Sequence, residues 1–440
     1  MGRLACLFAA FIFCSSVVQC FPLLKHESNR GYVSDALSNK SFIITVSAIP
    51  SQGADFGPDT PHTMTSGIQE AIDYAASFLT NVNMNPTSRK SLESNAPLIY
   101  LGPGSFEIYE TIMLPEWGGI SLVGSGMHST VLKDATKDGI VLIKQRIPKD
   151  VGIFYGQLNE LLSDFSILGN PYQTSVAGID LSMPENIPHN VVTRIALYGN
   201  FTEFHLCMDG NEDSLLDTLF IDGYSKNGTE PPIIGFSTDD GATFMRGIYS
   251  SNPSGGCRIH SRSVNLYITD SVIGAISNAA ITKGQYEITF PNSVVYIKNT
   301  WFNIDTERTP YVFDLRTKTH YSTIALGDVW FENYPAGKCY FYVGNETLIE
   351  QIQLENLIFG YGEGTLIEGE GKIGSLEVGF VYSYYKIPSP YLEWYPGVLD
   401  HFYVAKRGVF PIYVRPPPTP PVPPTPAPLP PTAPGAPPKP

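Results

Sequence analysis

Hydrophobic and polar positions alternate along this chain in short runs that keep returning. In Ser263-Val-Asn-Leu-Tyr-Ile-Thr-Asp-Ser-Val-Ile-Gly, Leu266 and Ile268 alternate with polar neighbours. Asp270-Ser271 then breaks the run, and Val272-Ile273 lead into a glycine. That is the signature of two short strands in quick succession. The phrase recurs as Asp164-Phe-Ser-Ile-Leu-Gly, Arg194-Ile-Ala-Leu-Tyr-Gly and Asp217-Thr-Leu-Phe-Ile-Asp-Gly. It returns again as Asn299-Thr-Trp-Phe-Asn, Asp328-Val-Trp-Phe-Glu-Asn and Asn356-Leu-Ile-Phe-Gly. Successive copies stand roughly 23 to 30 residues apart, except for the longer step from Asp217 to Asp270. Such a period belongs to solenoids, in which no repeat buries its apolar face alone and the copies must stack.

The pattern predicts an all-β, right-handed parallel β-helix of about ten coils, near 50 Å long at a strand spacing of ~4.8 Å. The doublets Ile167-Leu168, Phe220-Ile221, Val272-Ile273, Trp301-Phe302, Trp330-Phe331 and Ile358-Phe359 are expected to form inner ladders, with Trp301 and Trp330 at equivalent core positions. One stretch has helical period: Ile68, Ile72, Ala75 and Leu79 share a face, and Ser66 with Gln69 reads as a capping box. A helix with one apolar face suits a lid over the open end of a β-stack. The expected organisation is a secretory signal peptide over 1–20, an irregular lead-in over 21–46 and the β-helix over 47–383. A C-terminal cap over 384–414 and a disordered proline-rich tail over 415–440 complete it.

Composition narrows the function. Charged residues are 16% of the chain, hydrophobic residues 43% and aromatics 12%, a balance that suits an extracellular β-protein. The net charge of -14 argues against nucleic acid and anionic membranes, and would repel a strongly acidic polysaccharide overall unless a local basic groove or a bridging cation offsets it. Outside the leader the cysteines are Cys207, Cys257 and Cys339. Cys207 and Cys257 lie about two repeats apart, roughly 10 Å along a stack, too far for a disulfide. All three therefore read as buried thiols. Sequons at Asn39, Asn200, Asn227 and Asn345 favour surface turns. No cofactor is implied, no later segment is apolar enough to span a bilayer, and the proline tail reads as a spacer for attachment to a wall or surface.

The segment from Gly53 to Leu132 carries a resemblance. A helix with Ile68-Gln-Glu-Ala-Ile, then Tyr100-Leu-Gly-Pro-Gly-Ser-Phe, then Ile120-Ser-Leu-Val-Gly-Ser-Gly, resembles the opening of the pectate lyase superfamily, in its glucanase-like and tailspike-like branch. The resemblance implies the right-handed parallel β-helix and an extracellular polysaccharide as partner. It departs at Asp55-Phe56-Gly57-Pro58-Asp59, where relatives carry an Asp-Gly and a doubled Asp before the helix.

No nucleophile elbow, phosphate loop or zinc motif is present, so any chemistry rests on carboxylates and basic groups arrayed on the coils. Glycoside hydrolysis needs two carboxylates across the scissile bond. Asp239 and Asp240 can supply them, with Asp222 from the preceding rung, Arg258 as a substrate-binding group and His260 as a neighbour that tunes an acid. This set loosely resembles the polygalacturonase pattern, although His260 stands where that family has lysine and the upstream Asn-Thr-Asp is missing. An ordinary turn at Asp239-Asp240-Gly241 is the plainer reading. Asp209, Glu212 and Asp213 can bind Ca²⁺ or stand as solvated loop acids. Trp394 and Tyr395, with Tyr384 and Tyr385, can stack on sugar rings or pack the C-terminal cap. The competing functions are a polysaccharide-degrading glycoside hydrolase, a lyase, and a non-catalytic surface rod that binds glycans.

Overall fold

The computed structural model describes residues 43–79, 98–115, 119–147, 161–170, 175–182, 187–188, 190–199, 201–208, 211–212, 214–222, 232–235, 242–250, 258–261, 265–275, 281–283, 293–304, 311–315, 320–332, 339–359, 365–379, 381–383, 392–394, 399–404 and 412–414. These form a right-handed parallel β-helix. A 17-stranded sheet runs its length, and a ten-stranded sheet closes the other side. Every coil sends one strand to the second sheet and returns to the first, so each strand pairs in parallel with its counterpart one coil on.

The polar head of the repeated phrase has a conformational cause. The long strands bend sharply at one residue per coil, and that residue is left-handed. Asp164, Arg194, Thr218, Gly247, Asp270, Asn299, Asp328 and Asn356 have φ between 47° and 64°. A left-handed residue other than glycine costs about 1–2 kcal/mol, less for Asn and Asp, whose side chains bond locally. Here those side chains bond along the stack. Arg194 donates to both carboxylate oxygens of Asp164 at 2.6 Å, Asn299 to Asp270 at 2.7 Å and Asn356 to Asp328 at 2.9 Å. Gly247 fills the long step between Asp217 and Asp270. Its coil was hidden because glycine meets the left-handed turn with no polar side chain to mark it.

Beyond the bend the apolar doublets straddle the sheet rather than both facing in. Phe302, Phe331 and Phe359 form the inner ladder, each ring stacked on the next at 5.4 Å. Phe313 stacks on Phe341 from the second sheet at 4.6 Å, and both Phe302 and Phe331 meet Phe313 edge-on. Ile167, Ile221 and Ile273 continue the inner side, leaving Leu168, Phe220 and Val272 half-buried outside. Trp301 and Trp330 are in register and stacked at 5.1 Å, as the repeat requires. They lie on the outer side, half-buried, and so are not core. Adjacent side chains on a strand point to opposite faces, so a doublet can place only one member inside.

Among the described residues there is one helix, Ile68–Leu79, and it covers the first coil as expected. Ile68, Ala71, Ile72 and Ala75 are fully buried against the opening strands. The capping residues differ from the expected box. The hydroxyls of Thr63 and Thr65 accept from Gly67 and Gln69, whereas Ser66 donates across to the Glu107 carbonyl. Gly67 is left-handed, and a Cβ there would stand 2.5 Å from the Gly57 nitrogen, so the loop and helix meet backbone to backbone. In the departing Asp55–Asp59 segment, Asp55 accepts from Thr45 and Asp59 from Ser51. Both are turn acceptors.

Gln69 solves the edge problem. Strand Ile112–Leu114 is the first of the second sheet and has no earlier coil to pair with. The Gln69 amide accepts from the Met113 N–H at 2.7 Å and donates to the Met113 carbonyl at 3.1 Å, imitating the missing strand. Gln69→Ala leaves both groups unpaired and is expected to cost about 1–3 kcal/mol in urea unfolding. Asp73→Ala, which loses an exposed 3.3 Å pair with Arg146, is expected to cost under about 1 kcal/mol.

Cys207 and Cys339 are buried thiols of the second sheet, and Cys257 lies outside the described residues. Within the expected cap, strand Leu399–Val404 pairs with Lys372–Val378 as a further coil of the long sheet. The expected leader over 1–20 and the proline-rich stretch over 415–440 lie outside the described residues.

Candidate functional site

The second sheet carries a row of polar and ionisable positions. Ile143, Ile179, Leu206, Ile259, Phe313, Phe341 and Ile367 are buried inward along it. The next residue in each strand therefore belongs to the outer side. That register line runs Lys144, Asp180, Cys207, Ile234, His260, Thr282, Asp314, Tyr342, Glu368. Successive positions stand about 4.8 Å apart. Among the side chains described, the line carries Lys144 and the carboxylates Asp180, Asp314 and Glu368, with His260 in register between them.

Their states differ. Asp180 is held by Lys144 at 3.3 Å and by Ser182, whose N–H and hydroxyl both donate to the other oxygen. Asp314 is 7% exposed, whereas Tyr342 and Glu368 are half-buried. Asp314 and Glu368 are two coils apart, about 10 Å at the backbone. An inverting glycosidase separates its carboxyl groups by about 6.5–9.5 Å, so this pair spans a comparable gap. The sequence held the signal: Ile179-Asp180, Phe313-Asp314 and Ile367-Glu368 each set a carboxylate after the inner residue of a second-sheet strand. It was missed because the longer phrases at the left-handed bend dominate the repeat.

Of the residues expected to act, Arg258 and His260 lie in strand Arg258–Ser261, opposite Pro232 and Ile234 on the previous coil. Asp239 and Asp240 lie outside the described residues, in the connection that leaves strand Pro232–Gly235. Asp222 ends strand Ser214–Asp222 of the long sheet, so it is on a different sheet from Arg258 and His260. Burial of the Tyr198 ring raises that residue's pKa, and the Asp222 charge beside it raises it further. Trp394 ends strand Leu392–Trp394, which pairs with Ile412–Val414, and Tyr395 lies outside the described residues. So do Asp209, Asp213, Asn39, Asn200 and Asn227. Glu212 sits in the short pair with Ile187–Pro188. No group of three or more metal-ligating side chains gathers among the described residues.

Two other features compete for attention. Phe244 stacks on Tyr267 at 4.9 Å with planes 7° apart, and Phe220 on Tyr249 at 5.0 Å, forming outer columns on the long sheet. Phe244 and Tyr249 are 42% and 41% exposed. Their ring faces are turned toward one another along the axis, so edges rather than faces meet solvent. A sugar needs a free face to stack on, and these columns instead join coil to coil. An open cavity of about 350 Å³ lies at the capped end, lined by Met64, Ser66, Glu107 and Tyr109 among others. There the Tyr109 hydroxyl donates to Glu107 at 2.7 Å, and that bond raises the tyrosine pKa. Ser66 likewise donates to the Glu107 carbonyl, so two of the lining hydroxyls are already bonded to Glu107.

No protein-family model and no curated protein matches the chain. Among solved structures it is similar to a Geobacillus virus E2 protein, ORF18, at 12% identity over 90% of this chain and 65% of that one, TM-score 0.38. It is similar to the Agl-KA catalytic domain at 11% identity over 78% and 65%, TM-score 0.37. The catalytic unit of an α-1,3-glucanase from Streptomyces thermodiastaticus gives 11% identity over 83% and 68%, TM-score 0.39. The chain thus spans 65% of the length of the first two. The architecture rests on the parallel pairing of each strand with its counterpart one coil on. The architecture is a right-handed parallel β-helix.

Proposed function

We propose that the protein is an extracellular, carbohydrate-active β-helix that hydrolyses a neutral polysaccharide along the outer face of its second sheet. Asp239 and Asp240 act as acid and base, and Arg258 and His260 bind substrate on the adjoining strand. The observation that carries this reading is the register line from Lys144 to Glu368. It gives an extended glycan a straight line of positions along the sheet, polar at Lys144 and Asp180 and again from His260 to Glu368, and the Asp239-Asp240 segment follows strand Pro232–Gly235 of the same sheet in the chain. Charge selects the substrate class. A protein of net charge -14 repels a polyuronate, and Lys144 on this line is already paired with Asp180. Glucan-like chains fit better than pectin-like ones.

The second reading is a non-catalytic rod that binds the same glycan. It is favoured by Asp180, whose oxygens are committed to Lys144 and Ser182 and are not available for proton transfer. A panel of neutral and acidic polysaccharides separates the two. Release of reducing ends from a neutral polymer supports hydrolysis. Retardation by the polymer without release supports the rod, and neither effect with any polymer overturns both.

A further inference from the structure

We propose that Asn345 carries an N-linked oligosaccharide, set on the corner between the second and the long sheet. Among the sequons only this one falls within the described residues, at the turn Gly344-Asn345-Glu346-Thr347. Asn345 and Glu346 are exposed, whereas Thr347 is 2% exposed. The turn is fastened on both sides. Thr347 N–H donates to Gly344 at 2.9 Å, and Gly344 N–H donates to Leu315 of the coil before at 3.1 Å. Lys372 of the coil after donates to the Thr347 carbonyl at 3.0 Å. Neighbouring coils thus grip the turn by its backbone and leave the Asn345 side chain outside.

Thr347 serves twice, at different times. Before folding its hydroxyl completes the Asn-x-Thr acceptor. In the transfer, the Asn345 amide nitrogen bonds to C1 of the first sugar of a polyisoprenyl-pyrophosphate-linked oligosaccharide. The C1–O bond to pyrophosphate breaks, the amide loses a proton, and the lipid pyrophosphate departs. After folding, the same hydroxyl donates to the Leu315 carbonyl at 2.7 Å. A surface asparagine bearing a bulky polar glycan is compatible with this fold, because Asn345 is exposed among the described residues. The glycan projects from the turn after strand Cys339–Val343, four coils or about 19 Å beyond strand Pro232–Gly235.

The test uses the full chain with its own leader, expressed in a eukaryotic secretory host. Peptide mapping after amidase deglycosylation should show Asn345 converted to Asp. Asn345→Gln should lose the mass of one glycan with an unchanged unfolding midpoint. Thr347→Ser should keep the glycan, and Thr347→Ala should lose both the glycan and part of the stability. An unmodified Asn345 peptide overturns the assignment, whether the chain is secreted or retained. The outcome is independent of polysaccharide turnover, so it fails or stands apart from the hydrolase reading.

Discussion

Phe331→Ala should destabilise the protein by about 3–5 kcal/mol, the range for deleting a large buried aromatic ring. Phe331 is fully buried at the centre of the inner ladder, stacked on Phe302 before it and Phe359 after it. It also meets Phe313 and Tyr340 from the second sheet. Little can collapse into the space it leaves, because the backbone on both sides is fixed by parallel pairing. In a solenoid the damage is also to coupling, since each coil is stabilised by its neighbours. Urea unfolding should therefore show a lower midpoint and a broadened transition as the two halves separate. Trp330→Ala, one residue away but on the outer side, should cost less. A larger loss at Trp330 would mean that the inner and outer assignments are reversed.

Asp239→Asn and Asp240→Asn should each lower polysaccharide turnover by about 10²–10⁴-fold, the usual worth of a positioned acid or base. Circular dichroism and the unfolding midpoint should stay unchanged. Asp222→Asn, on the other sheet and beside Tyr198, should leave turnover within about a few-fold of the parent on the same scale. Equal losses at all three would draw Asp222 into the reaction. No loss at Asp239 or Asp240 would move the chemistry to Asp314 and Glu368, which stand with Asp180 as the carboxylates of the second sheet's register line.

Much of the architecture was legible because a solenoid repeats one physical solution. A left-handed bend favours Asp or Asn, which hold it at five of the eight coils from Asp164 to Asn356, and a stacked core selects an apolar residue two or three positions later. Asp270, Asn299, Asp328 and Asn356 therefore announce their coils, whereas Gly247 satisfies the same bend silently. Which member of Trp301-Phe302 faces inward was not legible, since both are aromatic and either parity fits a doublet. The resolution came from register: Phe302 meets Phe313, and Trp301 does not. Gln69 was readable as part of a helix start, but its use as a substitute strand for Met113 depends on a contact 44 residues away. The candidate site was harder still. Asp180, Asp314 and Glu368 sit in short strands whose connections vary in length, so no fixed spacing marks them as neighbours.

The stacked register itself is open to direct measurement. Leu215, Ala325, Gln353 and Glu377 occupy one outer column of the long sheet, with Ala325, Gln353 and Glu377 four, five and six coils beyond Leu215. Nitroxide labels on Leu215→Cys paired in turn with Ala325→Cys, Gln353→Cys and Glu377→Cys, with the native thiols replaced by alanine, should give distances by pulsed electron resonance. The expected values are about 19, 24 and 29 Å, rising by ~4.8 Å for each coil. Distances that do not increase from one pair to the next would contradict the β-helix, and with it the line of second-sheet positions on which the proposed chemistry stands.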